Sequence, residues 1–286
     1  MERTLLSFGH GYSARALARR LLPQGWRVLG TTRSPDKAEV LAATGVTPVL
    51  WEKSALEDAL AQATDLLVSA GPDDAGDPTL ALLGDEIAER ARQFFWVGYL
   101  STTGVYGDHH GDWVDEATPL HPGTDRGQAR VDAEAAWGAI PGLPVHFFRL
   151  AGIYGPGRGP FAKVRSGDAR RIIKPGQVFS RIHVEDIAQV LEASITHPNP
   201  GAVYNVCDDD PAPPQDVIAH AAELLDLPIP PEVPFREADM SPMARSFYSE
   251  SKRVSNDRIK TELGVELLYP DYRAGLRALL DDDVAG

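Results

Sequence analysis

Cysteine is almost absent: among 286 residues Cys207 stands alone, so no intrachain disulfide framework can form, and a reducing compartment is expected. Without a partner thiol, Cys207 reads as a small buried apolar residue. Long apolar runs are also missing, and none reaches the ~20 residues needed to span a bilayer. The N-terminus has no long apolar core ahead of a small-residue cleavage site, which predicts no export and a cytoplasmic protein. Basic charge is in deficit. With 28 Lys and Arg against 41 Asp and Glu, the net charge is −13, which argues against nucleic acid or an anionic membrane as partner. Several chemistries lack their motifs: there is no G-x-x-x-x-G-K-[ST] loop, no H-E-x-x-H and no Cys/His cluster, so no metal site is expected. The stretch Gly11-Tyr12-Ser13-Ala14-Arg15 lacks the second glycine of a nucleophile elbow.

What is present is an alternation. Residues 4–8, 26–30, 46–50, 66–68, 94–100 and 145–150 read as short buried strands. Residues 13–22, 36–43, 79–92 and 126–137 read as helices between them. Strand–helix alternation at this spacing predicts right-handed crossovers and a parallel sheet covered on both faces. After about residue 150 glycine and proline recur and the pattern loosens. The expected organisation is a sheet domain over 1–150, with 180–206 returning to it, and a smaller α+β substrate-binding region over 151–286. The acidic runs at 208–210 and 281–283 read as solvated loop or tail.

The first strand runs into Phe8-Gly9-His10-Gly11-Tyr12-Ser13-Ala14. Gly9 permits a tight turn, Gly11 lets backbone amides approach a pyrophosphate, and Ala14 lets the helix pack closely on the strand. The helix start then offers free N–H groups to phosphate. In this strand–turn–helix setting, G-x-G-x-x-A predicts dinucleotide binding on a Rossmann-type doubly wound α/β fold, with Gly9, His10, Gly11, Tyr12, Ser13 and Ala14 as contacts. NAD-specific sites place a carboxylate at the end of the second strand. This chain has Thr31-Thr32-Arg33-Ser34 there, and Arg33 suits a 2′-phosphate. NADP(H) is therefore preferred, through Thr32, Arg33 and Ser34, with NAD(H) as the alternative.

Further segments carry a wider likeness. They are Ser101-Thr102-Thr103-Gly104-Val105-Tyr106-Gly107, residues 149–157 (Arg-Leu-Ala-Gly-Ile-Tyr-Gly-Pro-Gly), residues 180–188 (Ser-Arg-Ile-His-Val-Glu-Asp-Ile-Ala), Tyr204-Asn205-Val206 and Ser255-Asn256. In order and over nearly the whole chain, they resemble the extended and atypical short-chain dehydrogenase/reductase superfamily, in its NAD(P)-binding epimerase/dehydratase-like branch. The resemblance implies cofactor contacts from Ser69, Ala70 and Gly71 and from Ala151, Gly152 and Ile153. It places Thr102 at the Ser/Thr that polarises the substrate oxygen. It also implies a Tyr-x-x-x-Lys pair one helix later. That tyrosine is the general acid or base, and the lysine lowers its pKa from about 10 and holds the nicotinamide ribose.

Here the chain departs from the pattern, because the alignment puts Arg126 at the tyrosine and Arg130 at the lysine. A guanidinium stays protonated, so Arg126 cannot shuttle a proton, whereas Arg130 keeps the charge that holds a ribose hydroxyl. Tyr106, Tyr154, Asp125, His109 and His110 lie in segments that approach the cleft. Tyr106 joins Thr102 and Arg130 as a catalytic candidate. Each has a structural alternative: Tyr106 packs beneath the site, the histidines sit in an exposed loop, and Asp125 caps a helix. Arg181 and His183 either border the substrate cleft or serve the fold.

Residues 158–174 carry Arg158, Lys163, Arg165, Arg170, Arg171 and Lys174 against Asp168 alone. They read either as a clamp for an anionic substrate, such as the diphosphate of a nucleotide-sugar, or as a solvated helix face. Helices 79–92 and 126–137 either pair in a homodimer or pack on the sheet. The expected function is an NADP(H)-dependent oxidoreductase or epimerase-like enzyme on a small substrate, with a remodelled active site. The alternative is a lapsed NAD(P)-binding module that senses cofactor or binds a partner protein.

Overall fold

The computed structural model describes residues 3–285, with side chains described through 281. The first half alternates as expected: β1 (Thr4–Phe8), α1 (Tyr12–Leu21), β2 (Arg27–Thr32), α2 (Pro35–Ala42), β3 (Thr47–Leu50), α3 (Lys53–Gln62), β4 (Asp65–Val68) and α4 (Pro78–Glu89). Then come β5 (Trp96–Thr102), the two-residue β6 (Trp113–Val114), α5 (Asp125–Gly138) and β7 (Val145–Leu150). The chain next leaves the sheet through β8 (Gly152–Tyr154), α6 (Phe161–Arg165), β9 (Arg171–Ile173) and β10 (Arg181–His183). It returns by α7 (Val184–Thr196) and β11 (Val203–Val206). The remainder is α8 (Pro214–Leu224), β12 (Glu232–Pro234), α9 (Pro242–Phe247), β13 (Arg253–Val254), α10 (Asp257–Thr261) and α11 (Tyr272–Ala285).

Seven strands form one sheet in the order β11-β7-β5-β4-β1-β2-β3, and every pairing in it is parallel. Alternate side chains of β1 feed two cores. Leu5 packs with Leu17 and Leu21 of α1 and with Ile187 and Leu191 of α7. Leu6 and Phe8 pack with Leu56 and Leu60 of α3, Leu83 and Ile87 of α4, and Trp137 of α5. The fold is thus the doubly wound α/β sandwich that the alternation implies. A third cluster, including Tyr154, Phe161, Val217, Ala221 and Leu276, joins α6, α8 and α11 beside the sheet. No helix among the described residues is long and apolar enough to cross a membrane.

Helix α3 was not anticipated. Its buried face is only Leu56, Ala59 and Leu60, barely one turn of apolar pattern among polar neighbours.

Small parallel pairs hold the loops. In β6–β13, Trp113 lies against Arg253 and Val114 against Val254. Just before β13, the Ser251 N–H donates to Asp108 Oδ1 (2.8 Å), and its carbonyl accepts from the His109 and Gly111 N–H groups. Lys252 Nζ donates to the Gly107 carbonyl and to Glu250, both at 2.7 Å. Gly107 is obligatory there: its φ is +76°, and a Cβ would lie 1.8 Å from the His121 carbonyl oxygen.

Under the sheet's C-terminal edge lies a buried polar network. Arg149 of β7 donates through Nη2 to Glu134 Oε2 (2.7 Å) and through Nε to Oε1 (3.2 Å), both side chains being under a tenth exposed. Ser101 donates to the same Glu134 carboxylate. Arg149 Nη1 donates to the Tyr106 hydroxyl (3.0 Å), which donates to Asn205 Oδ1 (2.7 Å). One acidic and one basic group thus join α5, β5, β7, β11 and the 3-10 turn after β5. Glu134→Leu strands the guanidinium and is expected to cost about 3–5 kcal/mol in denaturant unfolding. Adding Arg149→Met should recover most of that loss.

In the acidic run at 208–210, Asp209 is exposed and Asp210 partly so, as a solvated loop implies, but Asp208 departs from that expectation. Asp208 follows β11 inward and is 1% exposed, and both its carboxylate oxygens lack hydrogen-bond partners among the described residues. Burial raises its pKa to about 8, only partly countered by Arg181. Of the other run, Asp281 is exposed, and the side chains of residues 282 and 283 lie outside the described ones. Between the unperturbed value of 3.8 and about 8, folded Asp208 keeps a proton that the unfolded chain releases. Stability should therefore fall as pH rises through that window, by at most about 1.4 kcal/mol per pH unit. In urea titrations, Asp208→Asn should match wild type near pH 4 and exceed it increasingly up to pH 8.

Candidate functional site

From β1 the chain runs outward through β2 to β3, then crosses back to β4 on the other side of β1. This reversal opens a crevice at the C-terminal ends of β1 and β4. Gly9 turns there with φ +74°, and a Cβ on it would sit 2.7 Å from the Ala70 nitrogen. Ser69 Oγ donates to the Gly9 carbonyl (2.8 Å), and the Gly9 N–H donates to Thr31 Oγ1 (2.8 Å). The turn is therefore clamped between β2 and β4. Gly11 differs: its φ is −99°, and a Cβ would find only the Gly9 carbonyl oxygen, at 3.6 Å. It faces open space at the start of α1, which has no side-chain cap. Uncapped amides beside an open glycine fit a phosphate group. Ser13 and Ala14 are buried where α1 meets the sheet.

His10 folds back over β2, where a Cβ on Gly30 would lie 2.8 Å from its ring. Its Nδ1 is buried with no partner among the described residues. Burial first, then Arg15, lowers its pKa to about 4, so the ring is neutral. Thr32 is buried and its hydroxyl accepts from the Ser34 N–H (3.2 Å). Arg33 is exposed, with its guanidinium carbon 5.5 Å from the centre of the Trp51 ring. Residues 31–34 include no carboxylate.

Across the crevice, Arg130 Nη1 donates to the Leu100 carbonyl (2.6 Å) and the Tyr99 hydroxyl (3.2 Å). Its Nη2 lies 3.0 Å from where a Cβ on Gly71 would stand, so Gly71 is the gap that admits the guanidinium. Thr102, half-buried at the end of β5, accepts from the Gly104 N–H (3.2 Å). Its own hydroxyl hydrogen has no acceptor among the described residues. Ala151, Gly152 and Ile153 follow β7, with Ala151 N–H bonded to the Val206 carbonyl and Gly152 N–H to that of Ser180.

Tyr106 does not join them. It is fully buried, its hydroxyl is engaged by Arg149 and Asn205, and burial pushes its pKa up to about 12. This corrects the expectation of a catalytic Tyr106: it has no surface on which to meet a substrate. Asp125 is not the helix cap, since Thr124 Oγ1 accepts from the Gly127 N–H. The basic stretch 158–174 forms neither one clamp nor one helix face. Arg171 pairs with Glu232, Lys174 binds the Tyr248 carbonyl, and Arg170 binds the carbonyls of Gly167 and Ala169. Arg158 approaches the turn, its guanidinium carbon 5.8 Å from the Tyr12 ring centre. The Tyr12 hydroxyl in turn donates to the Pro156 carbonyl (3.0 Å). A cavity of about 510 Å³ between β6 and residues 254–260 is lined by none of the expected site residues.

Residues 8–207 match the NAD dependent epimerase/dehydratase family. The chain belongs to that family. Protein YeeZ of Escherichia coli (strain K12) is 30% identical over 282 residues, covering 92% of this chain and 95% of YeeZ. A solved structure of a functionally unknown conserved protein from Silicibacter pomeroyi DSS is 67% identical, with TM-score 0.94 over 98% of this chain and 99% of that one. The dTDP-glucose 4,6-dehydratase of Bacillus anthracis str. Ames, solved in complex with NAD, has TM-score 0.80 over 98% of this chain and 96% of its own. At 18% identity that last likeness is one of fold.

Sequence reasoning missed two features of this candidate site, the Trp51 ring under Arg33 and the Tyr12–Arg158 contact. Both depend on side chains brought together from separate strands and turns, and no local spacing signals them. The two turn glycines should separate in mutagenesis. Gly9→Ala, at positive φ and against backbone, is expected to lose about 1–3 kcal/mol of stability. Gly11→Ala should keep its thermal midpoint but lower nicotinamide dinucleotide affinity, read by calorimetry, because its methyl enters the open space.

Proposed function

We propose that this chain is an NADP(H)-preferring oxidoreductase or epimerase-like enzyme acting on a small substrate in the cytoplasm. The observation that carries the cofactor preference is Arg33, exposed over Trp51 at the end of β2, with no carboxylate among residues 31–34 to oppose a 2′-phosphate. The turn at Gly9–Ala14 holds the pyrophosphate on the N–H groups of α1. Ser69, Ala70 and Gly71 line the opposite wall, and Arg130 holds the nicotinamide ribose through a guanidinium already oriented by Leu100 and Tyr99. Ala151, Gly152 and Ile153 flank the nicotinamide. When bound, the nicotinamide accepts or supplies a hydride. Thr102 donates its hydroxyl hydrogen to the substrate oxygen and polarises it, while the buried Tyr106 stays outside the chemistry.

The nucleotide-sugar named for the Bacillus anthracis dehydratase supports a phosphorylated sugar as one substrate class. A second reading, a nicotinamide-binding module without turnover, is favoured by Arg126, a permanently charged group where the family pattern has its proton donor.

Calorimetry with NADPH and NADH tests the cofactor arm. Arg33→Ala should weaken NADPH binding about 10- to 100-fold, the worth of a charge-assisted contact, and leave NADH unchanged. Equal affinity of wild type for both cofactors defeats the NADP(H) preference. A metabolite screen with saturating NADPH decides the rest: turnover excludes the binding module, and its complete absence excludes the enzyme.

A further inference from the structure

Helix α5 carries two arginines that its own electrostatics disfavour. Arg126 and Arg130 are four residues apart, hence on one face, and like charges at that spacing destabilise a helix. Arg126 also sits in the first turn after the Thr124 cap, where the positive end of the helix dipole disfavours a cation. Some arginines elsewhere, such as Arg170 and Arg181, bind backbone carbonyls, while Arg3, Arg19, Arg149 and Arg258 hold carboxylates. Neither Arg126 nor Arg130 has such a partner among the described residues. Arg130 binds only the neutral Leu100 carbonyl and Tyr99 hydroxyl, and Arg126 is exposed.

Their position is specific. Arg130 reaches the gap at Gly71, and Arg126 stands one turn, ~5.4 Å, nearer the start of α5. That start is pressed on the turn after β5, since a Cβ on Gly127 would lie 3.0 Å from the Gly104 carbonyl oxygen. Thr102 Oγ1 accepts from the N–H of the same Gly104. The start of α5, which carries Arg126, therefore lies against the turn that holds the Thr102 hydroxyl.

We propose that Arg126 binds an oxyanion of the substrate, a carboxylate or a phosphate, with Arg130 behind it and Thr102 beside it. This deepens the functional reading above and rests on it, since the anion is placed next to a bound nicotinamide. Arg126 is then a specificity residue, not a failed proton donor, and uncharged alcohols and aldehydes are poor ligands. The planar fork of arginine suits either oxyanion by two parallel hydrogen bonds.

The test titrates wild type, Arg126→Ala and Arg126→Lys with malonate and with inorganic phosphate, each with saturating NADPH and without it. Saturating cofactor blocks the phosphate turn. Wild type should bind at least one anion, and the preferred one tells carboxylate from phosphate. Arg126→Ala should weaken that binding at least tenfold, Arg126→Lys should recover part of it, and NADPH affinity should stay at the wild-type value. The thermal midpoint of Arg126→Ala should be at or slightly above wild type because an unfavourable helix charge is removed. Equal anion affinity in wild type and Arg126→Ala, or no anion binding by wild type, overturns the proposal. Failure of wild type to bind NADPH instead sinks the cofactor reading, and the cofactor-free titrations still decide on Arg126.

Discussion

The buried pair between Arg149 and Glu134 is the constraint on which the arrangement of the site depends. Glu134 lies four residues beyond Arg130 and eight beyond Arg126, so all three share one stripe of α5. Pinning the glutamate to Arg149 of β7 and to Ser101 of β5 fixes the rotation of the helix about its axis. Arg130, one turn forward, then reaches the Leu100 carbonyl of β5 and the gap at Gly71 beyond β4. The Tyr106 and Asn205 hydroxyl–amide contact extends the tie to the sheet's edge strand. Desolvating an ion pair costs about as much as its attraction returns, so what the pair contributes is register rather than net stability.

Charge is distributed to match. The whole chain is acidic, yet acids are absent from residues 31–34, from the Gly9–Ala14 turn and from the Ser69–Gly71 wall. Against that acidic bulk, the local absence of carboxylates leaves a crevice that tolerates phosphate. His10 belongs to the same arrangement. Burial keeps it neutral, so its orphaned nitrogen adds a polar atom there without adding charge.

Much of the fold was legible because buried parallel strands are apolar and evenly spaced, and the glycine turn announces itself by what its residues lack. Arg33 is read from its position after the second strand, and Arg130 from the resemblance to the family's Tyr-x-x-x-Lys pattern. Other features could not be read in either way. Helix α3 buries too few side chains to mark a period. Asp208 reads as solvent-facing because aspartates usually are, and only the path of the chain after β11 turns it inward. Ser101, Tyr106, Glu134, Arg149 and Asn205 come from separate segments, and they meet through strand order and crossover handedness, which no spacing encodes. Tyr106 was misassigned for that reason: its neighbours in sequence are at the site, and its neighbours in space are beneath it.

The pairing of β6 with β13 joins residues 140 positions apart, Trp113 with Arg253. Around it, Ser251 and Lys252 hold the backbone at Gly107–Gly111, the stretch that leads into α5. During synthesis the strands β1 to β5 emerge long before residue 250 does, and N-terminal units fold first. The crevice beside Gly9 can therefore form on a nascent chain whose Gly107–Gly111 stretch is not yet held. The stretch around β13 is made about 150 residues after β5, and only then can it hold the backbone at Gly107–Gly111.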